Sequence, residues 1–127
     1  MYKRKRMDIY KKELLYYYKN QPHKKHLDNP NCTGESTNAS CGDEIKVELM
    51  VDDNGIIKDV GYSHGGCIVS GSVMSMIADR IIGKNVNYLQ SLTEQDWLAE
   101  IGFDLTDSRK KCALVGYLAL KNSKRVN

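Results

Sequence analysis

The stretch from Glu44 to Gly66 constrains the fold more than any other part of the chain. Ile45, Val47, Leu49 and Val51 alternate with Glu44, Lys46, Glu48 and Met50, the period of two that sends successive side chains to opposite faces of a strand. Asp52-Asp53-Asn54-Gly55 follows, and Asn-Gly suits the positive backbone dihedrals of a tight hairpin turn. A return strand is predicted from about Ile56 to Ser63, with Val60 and Tyr62 on one face, and Gly65-Gly66 ends it. Beyond it, Val73, Met74, Ile77, Ala78 and Ile81 form an apolar stripe at helical spacing within residues 70–82, with Gly83 placed as the cap. Met50, Met74 and Met76 read as core filler. A hairpin with helices laid on one face is the expected α+β arrangement.

The rest of the chain is read around this unit. Ile9, Tyr10, Leu14, Tyr17 and Tyr18 recur at three- and four-residue spacings, which predicts a first helix from Met7 to Lys19, ending before Pro22. Residues 21–40 are rich in Pro, Gly, Asn and Ser without periodicity and read as a covering or mobile loop. Thr93-Glu94-Gln95-Asp96 has the form of a capping box opening a short helix that buries Trp97, Leu98 and Ile101. Asp107 is placed to cap a last helix carrying Cys112, Val115 and Ala119 on one line. A length of 127 residues makes this one domain, 1–127, with a basic tail at about residues 1–6.

Charge is segregated. Residues 1–26 hold nine Lys or Arg against two acids, residues 109–127 hold six and none, and residues 27–108 hold four against fourteen, so the ends carry +13 and the middle −10. That distribution reads either as solvated termini or as a docking face for an acidic protein. Nucleic acid is not expected, because aromatics for base stacking are not interleaved with the basic residues apart from Tyr2 and Tyr10. No run approaches the length of a membrane span and no apolar segment follows the basic N-terminus, so no membrane association is expected. Four cysteines without a sign of secretion fit reduced thiols and a cytoplasmic location.

Three of those cysteines suggest chemistry. Cys41 opens a Cys-Gly-Asp turn, Cys67 follows Gly65-Gly66 at a helix start, and Cys112 sits near the start of the last helix. Separations of 26 and 45 residues rule out a zinc-finger pattern, so any shared site exists only in the folded chain. Residues 41 and 67 stand almost equally far from the hairpin turn, which brings both thiols to one end of the sheet. Asp43, two residues beyond Cys41, keeps to the same strand face and can be a fourth ligand. Three thiolates and a carboxylate suit zinc, or iron with an exchangeable position; thiolates also accept persulfide sulfur. Arg109 and Lys111 add positive charge beside Cys112. Taken singly, Cys67 and Cys112 read more simply as core residues; the three cysteines together, with Cys41 and Asp43 in a polar turn, read as a site. His64 reads as a spare ligand or proton carrier or, more simply, as a solvated strand-end histidine. His23 and His26 read as solvated, and Cys32, in a loop-like stretch, as a free or auxiliary thiol.

The wording of these segments is more specific than their spacing. Asn38-Ala39-Ser40-Cys41-Gly42-Asp43-Glu44-Ile45, Gly65-Gly66-Cys67-Ile68-Val69-Ser70-Gly71-Ser72-Val73-Met74-Ser75-Met76 and Arg109-Lys110-Lys111-Cys112-Ala113-Leu114 resemble, in order, the three cysteine motifs of the U-type scaffold and sulfur-acceptor proteins of iron-sulfur cluster assembly, the family of IscU, SufU and the NifU N-terminal domain. The resemblance covers almost the whole chain. It implies a SufE/NifU-like fold with a small three-stranded antiparallel sheet and helices packed on one face. It implies Cys41, Cys67 and Cys112 as metal ligands and candidate sulfur acceptors, Asp43 as the carboxylate of the site, and Arg109 and Lys111 as auxiliary residues. The implied cofactor is zinc, iron or a transient 2Fe-2S cluster. The implied partners are a cysteine desulfurase and apo iron-sulfur proteins or a downstream carrier. IscU-like members carry a histidine immediately before the last cysteine, whereas the basic run ending in Lys111 resembles SufU-like members. The SufU-like insertion between the second and third motifs is absent, and Leu105-Thr106-Asp107-Ser108-Arg109 stands where IscU carries its chaperone-recognition segment. Two functions follow from the resemblance: a non-enzymatic cluster scaffold, or a zinc-dependent sulfurtransferase that passes sulfur on without building a cluster.

Overall fold

The computed structural model of the chain describes residues 12–39, 42–101 and 105–126. The expected tail at residues 1–6, the first turns of the first helix and Cys41 lie outside the described residues. Residues 12–19 are helical (α1). Then come strands β1 (Cys32–Asn38), β2 (Asp43–Val51) and β3 (Ile57–Gly65), helices α2 (Ile68–Ile81), α3 (Val86–Ser91), α4 (Glu94–Ile101) and α5 (Asp107–Lys121), and a short strand β4 (Lys124–Arg125).

The hairpin forms as its pattern dictates. β2 and β3 pair antiparallel from Glu44↔Gly65 to Val51↔Ile57, with one irregularity between Met50 and Val51. Asp52 closes the turn by accepting from the N–H groups of Asn54 and Ile56, each at 2.9 Å. The inward row of β2 is buried from Asp43 through Ile45, Val47 and Leu49. α2 and α5 cover that face and pack on each other. Trp97 of α4 is fully buried and donates its indole N–H to the Ala113 carbonyl at 2.7 Å, which ties α4 to α5. The capping box is present, with Thr93 and Asp96 exchanging bonds of 3.0 and 3.1 Å.

The sheet has four strands rather than three, in the order β3-β2-β1-β4. The segment read as a loop contains β1, which pairs with β2 from Cys32↔Leu49 to Asn38↔Asp43. Its sequence, Cys-Thr-Gly-Glu-Ser-Thr-Asn, shows no apolar alternation because α5 lies close above it: a side chain at Gly34 would meet the backbone at Ala119 and Ser123. β1 is therefore held by its ladder and by close backbone approach, neither of which leaves a hydrophobic pattern. Thr106, not Asp107, caps α5, accepting from the Arg109 N–H at 3.4 Å. The short helix α3, capped by Asn85, had no periodic signal in its six residues. His23 is not a solvated loop residue: its side chain is 15% exposed and its Nε2 lies 2.9 Å from Asp79 of α2. Among the described residues no helix is long and apolar enough to cross a membrane.

Candidate functional site

The site sits at the end of the sheet where β2 begins and β3 ends. Asp43 is the first residue of β2 and points inward with the core row, which explains a carboxylate only 2% exposed. Gly66 follows β3 with φ of 127°, a conformation L side chains avoid, and a Cβ there would run into the Asp43 carboxylate. That turn delivers Cys67 to the N-cap of α2 in extended conformation, with no side-chain cap of its own. Asp43 Oδ1 takes over the capping by accepting from the Cys67 N–H at 2.8 Å, so the carboxylate faces the positive end of a 14-residue helix. Cys112, buried on the second turn of α5, completes the group.

One ligand atom from each of Asp43, Cys67 and Cys112 lies within 4.8 Å of the others. Asp43 Oδ1 also accepts from the buried Ser70 hydroxyl at 3.2 Å, while Oδ2 is buried without a hydrogen-bond partner. Burial works to raise the Asp43 carboxyl, but the Cys67 N–H, the thiols of Cys112 and Cys67 and the Ser70 hydroxyl outweigh it and hold the group below its ordinary 3.8. Asp43 is thus the charged, metal-binding form at neutral pH. An unpartnered buried oxygen next to two thiols fits a thiophilic divalent ion of the zinc or iron class, for which thiolate and carboxylate are both normal ligands. Cys67 and Cys112 are not in disulfides.

The structure therefore brings together three of the four predicted ligands. Arg109 and Lys111 are exposed on the first turns of α5, beside the buried Cys112. Cys32 stands at the far end of β1, opposite Leu49 rather than Asp43; six strand steps separate it from Asn38, roughly 20 Å. Two further residues stand at the site, Ser70 and His64, the latter read in the sequence as a spare ligand or proton carrier or as a solvated histidine. Ser70 was not singled out, although a position three residues into a helix from its N-cap is where a hydroxyl can turn back on the cap. His64 is half-buried, not solvated, with Nε2 2.8 Å from Ser70 Oγ. Burial and then the charge of Lys24 push the imidazole below its ordinary 6.5, against the pull of Asp43 and the Cys67 backbone. A surface groove of about 640 Å³ lies elsewhere, on the outer polar face of the sheet between Glu35, Glu48 and Lys124; an ion held by three or four side chains needs no such cavity.

A small α+β domain of this length and fold has known relatives. The profile of the NifU-like N terminal domain matches residues 9–124, and the chain belongs to that family. It is 36% identical over 87 residues to the protein of Thermotoga maritima named iron-sulfur cluster assembly scaffold protein IscU, a match covering 68% of this chain and 61% of that one. It is 28% identical over 86 residues to the zinc-dependent sulfurtransferase SufU of Bacillus subtilis, covering 68% of this chain and 57% of the relative. The match spans about three fifths of the length of both relatives. In fold it is similar to the crystal structure of a SUF-system scaffold protein from Fervidobacterium islandicum AW-1, with TM-score 0.71 at 22% identity, covering 86% of this chain and 91% of that one.

Proposed function

We propose that the protein is an iron-sulfur cluster assembly scaffold that receives sulfur from a cysteine desulfurase and holds iron or a nascent cluster through Cys41, Asp43, Cys67 and Cys112. The observation that carries this reading is the convergence of Asp43, Cys67 and Cys112 within 4.8 Å, with one oxygen of the carboxylate engaged by the protein and the other open. Thiolates bind iron firmly and a single carboxylate oxygen binds it exchangeably, which suits cargo that has to leave. In sulfur transfer a thiolate attacks the terminal sulfur of the desulfurase persulfide. A new S–S bond forms, the old one breaks, and the desulfurase cysteine departs as thiolate. The basic ends of the chain and the exposed Leu15, Tyr16 and Tyr18 of α1 supply a surface for docking that enzyme.

A second reading is a zinc-dependent sulfur acceptor that stimulates the desulfurase without building a cluster. It is favoured by the exposed basic run Arg109-Lys110-Lys111 before Cys112 and by the likeness to a protein named for that activity. One set of measurements separates the two. The purified protein is assayed for bound zinc, then incubated anaerobically with ferrous iron, cysteine, a thiol reductant and a desulfurase. A visible sulfur-to-iron charge-transfer spectrum followed by transfer to an apo-ferredoxin supports the scaffold. Tightly held stoichiometric zinc, stimulated turnover and no cluster support the sulfurtransferase and refute the scaffold.

A further inference from the structure

Asp43 does not hold its orientation alone. Ser70 Oγ lies 3.2 Å from Asp43 Oδ1, 3.0 Å from the Cys67 carbonyl and 2.8 Å from His64 Nε2. The hydroxyl has one proton to give, and a charged carboxylate is the stronger acceptor, so the proton goes to Asp43. His64 must then donate through Nε2–H, and a continuous chain runs from imidazole to hydroxyl to carboxylate. Room for the ring is built into the neighbouring helix. Gly71 lies inside α2 and is buried, although glycine is an unfavourable helix residue. An ideal Cβ there would sit 2.8 Å from His64 Cε1 and 3.0 Å from Nδ1, so the imidazole occupies the space that any other residue at 71 would fill.

We propose that His64 and Ser70 are positioning residues of the metal site, acting through Asp43. With the Cys67 N–H, the Ser70 hydroxyl saturates Oδ1, so that Asp43 offers the metal Oδ2 alone. His64 keeps the hydroxyl turned toward the carboxylate instead of the Cys67 carbonyl. The proposal rests on the reading of Asp43, Cys67 and Cys112 as ligands and adds the two residues that set how that carboxylate binds.

The test has a metal-free arm and a metal arm. In the metal-free protein, long-range proton–nitrogen NMR of the imidazole reports the tautomer. The Nε2–H form is expected in wild type and its preference is lost in Ser70→Ala; a wild-type ring without Nε2–H preference overturns the proposal whatever the site binds. In the metal arm, cobalt(II) titrations followed at the thiolate charge-transfer and d–d bands give affinity and ligand geometry. Loss of an outer partner of a metal ligand typically weakens binding about 10-fold or more, which is the loss expected for Ser70→Ala, His64→Ala and Gly71→Ala. Gly71→Ala displaces the ring without touching its chemistry, and urea midpoints of the metal-free variants separate lost positioning from a folding defect. His64→Gln, which still offers an amide N–H, should restore binding close to wild type. In an Asp43→Ala background the His64 and Ser70 changes should have no further effect. Equal losses with and without Asp43 overturn the proposal while leaving the metal site standing; a wild-type protein that binds no cobalt overturns both.

Discussion

Replacing Gly66 by alanine tests whether the turn after β3 is shaped by the site it delivers. Two costs arise from the geometry. A residue with a side chain at φ of 127° is strained by about 1–3 kcal/mol. The new Cβ also falls on the Asp43 carboxylate and 2.7 Å from the Asp43 Cα, so the start of β2 must shift and the carboxylate must give up the 2.8 Å bond from the Cys67 N–H, a charged hydrogen bond worth about 1.5–3 kcal/mol. Together these predict a loss of about 2.5–6 kcal/mol. Gly83→Ala is the control, since Gly83 also has positive φ, 90°, but no atom within 4 Å of its Cβ position; only backbone strain of about 1–2 kcal/mol applies there. With a urea slope of about 1.5 kcal/mol/M, the midpoint of the metal-free protein should fall by about 2–4 M for Gly66→Ala and about 1 M for Gly83→Ala. Gly66→Ala should also weaken zinc or cobalt binding, and Gly83→Ala should not. Equal destabilisation by the two changes, with metal binding intact in both, would refute the argument that Gly66 is fixed by the carboxylate.

Cys67→Ser and Cys112→Ser should each abolish stoichiometric metal binding in cobalt titrations, whereas Cys32→Ser, at the far end of β1, should leave it unchanged. Because folding lowers the His64 pKa below its ordinary 6.5, the unfolded chain takes up that proton first, and stability falls as pH drops through about 6.5 and levels off below the folded value. Urea midpoints of the metal-free protein between about pH 7.5 and pH 5.5 should show a slope that shrinks in His64→Gln. Reversing Lys12 and Lys19 to glutamate should weaken a salt-sensitive complex with the cysteine desulfurase without changing metal content; an affinity indifferent to salt and to both changes would remove the ends of the chain from the docking surface.

What the sequence reveals here depends on whether a residue's role leaves a local pattern. The β2–β3 hairpin was legible because buried residues of β2 alternate with more exposed ones and Asn54-Gly55 marks the turn, and α2 because its apolar residues recur at helical spacing, although the helix is buried almost all round. β1 was not, since Gly34 and its polar neighbours are held by the ladder and by the backbone of α5. Cys67, Cys112 and Asp43 were legible as donors, and the hairpin pairing predicted that the start of β2 meets the end of β3. The direction of Asp43 could not be read, because it depends on Cys67 N–H and Ser70, residues 24 and 27 positions away. His64 could be read as a ligand, a proton carrier or a solvated strand end, because the room for its ring is left by Gly71, a missing side chain on another element.

The way Asp43 is held also bears on what happens when the site is empty. Small zinc domains whose ligands have no other partners unfold when the metal is removed. Here Oδ1 is bonded by the protein itself, to Cys67 N–H and Ser70, and the core around Ile45, Leu49, Val73 and Trp97 is closed by α2 and α5 without the site. Among the described residues of the site the residual penalty is the buried oxygen Oδ2, of order 1–3 kcal/mol, within the 5–15 kcal/mol a domain of this kind commands. The metal-free protein should therefore stay folded, with the near-ultraviolet circular dichroism of buried Trp97 intact after chelation and one cooperative urea transition. Adding metal at about a hundred times its Kd should then raise stability by about 2.7 kcal/mol through linkage alone. Collapse of the Trp97 signal on chelation would mean that the ion holds the core together, and a carrier that unfolds each time it delivers its cargo would not match the arrangement around Asp43.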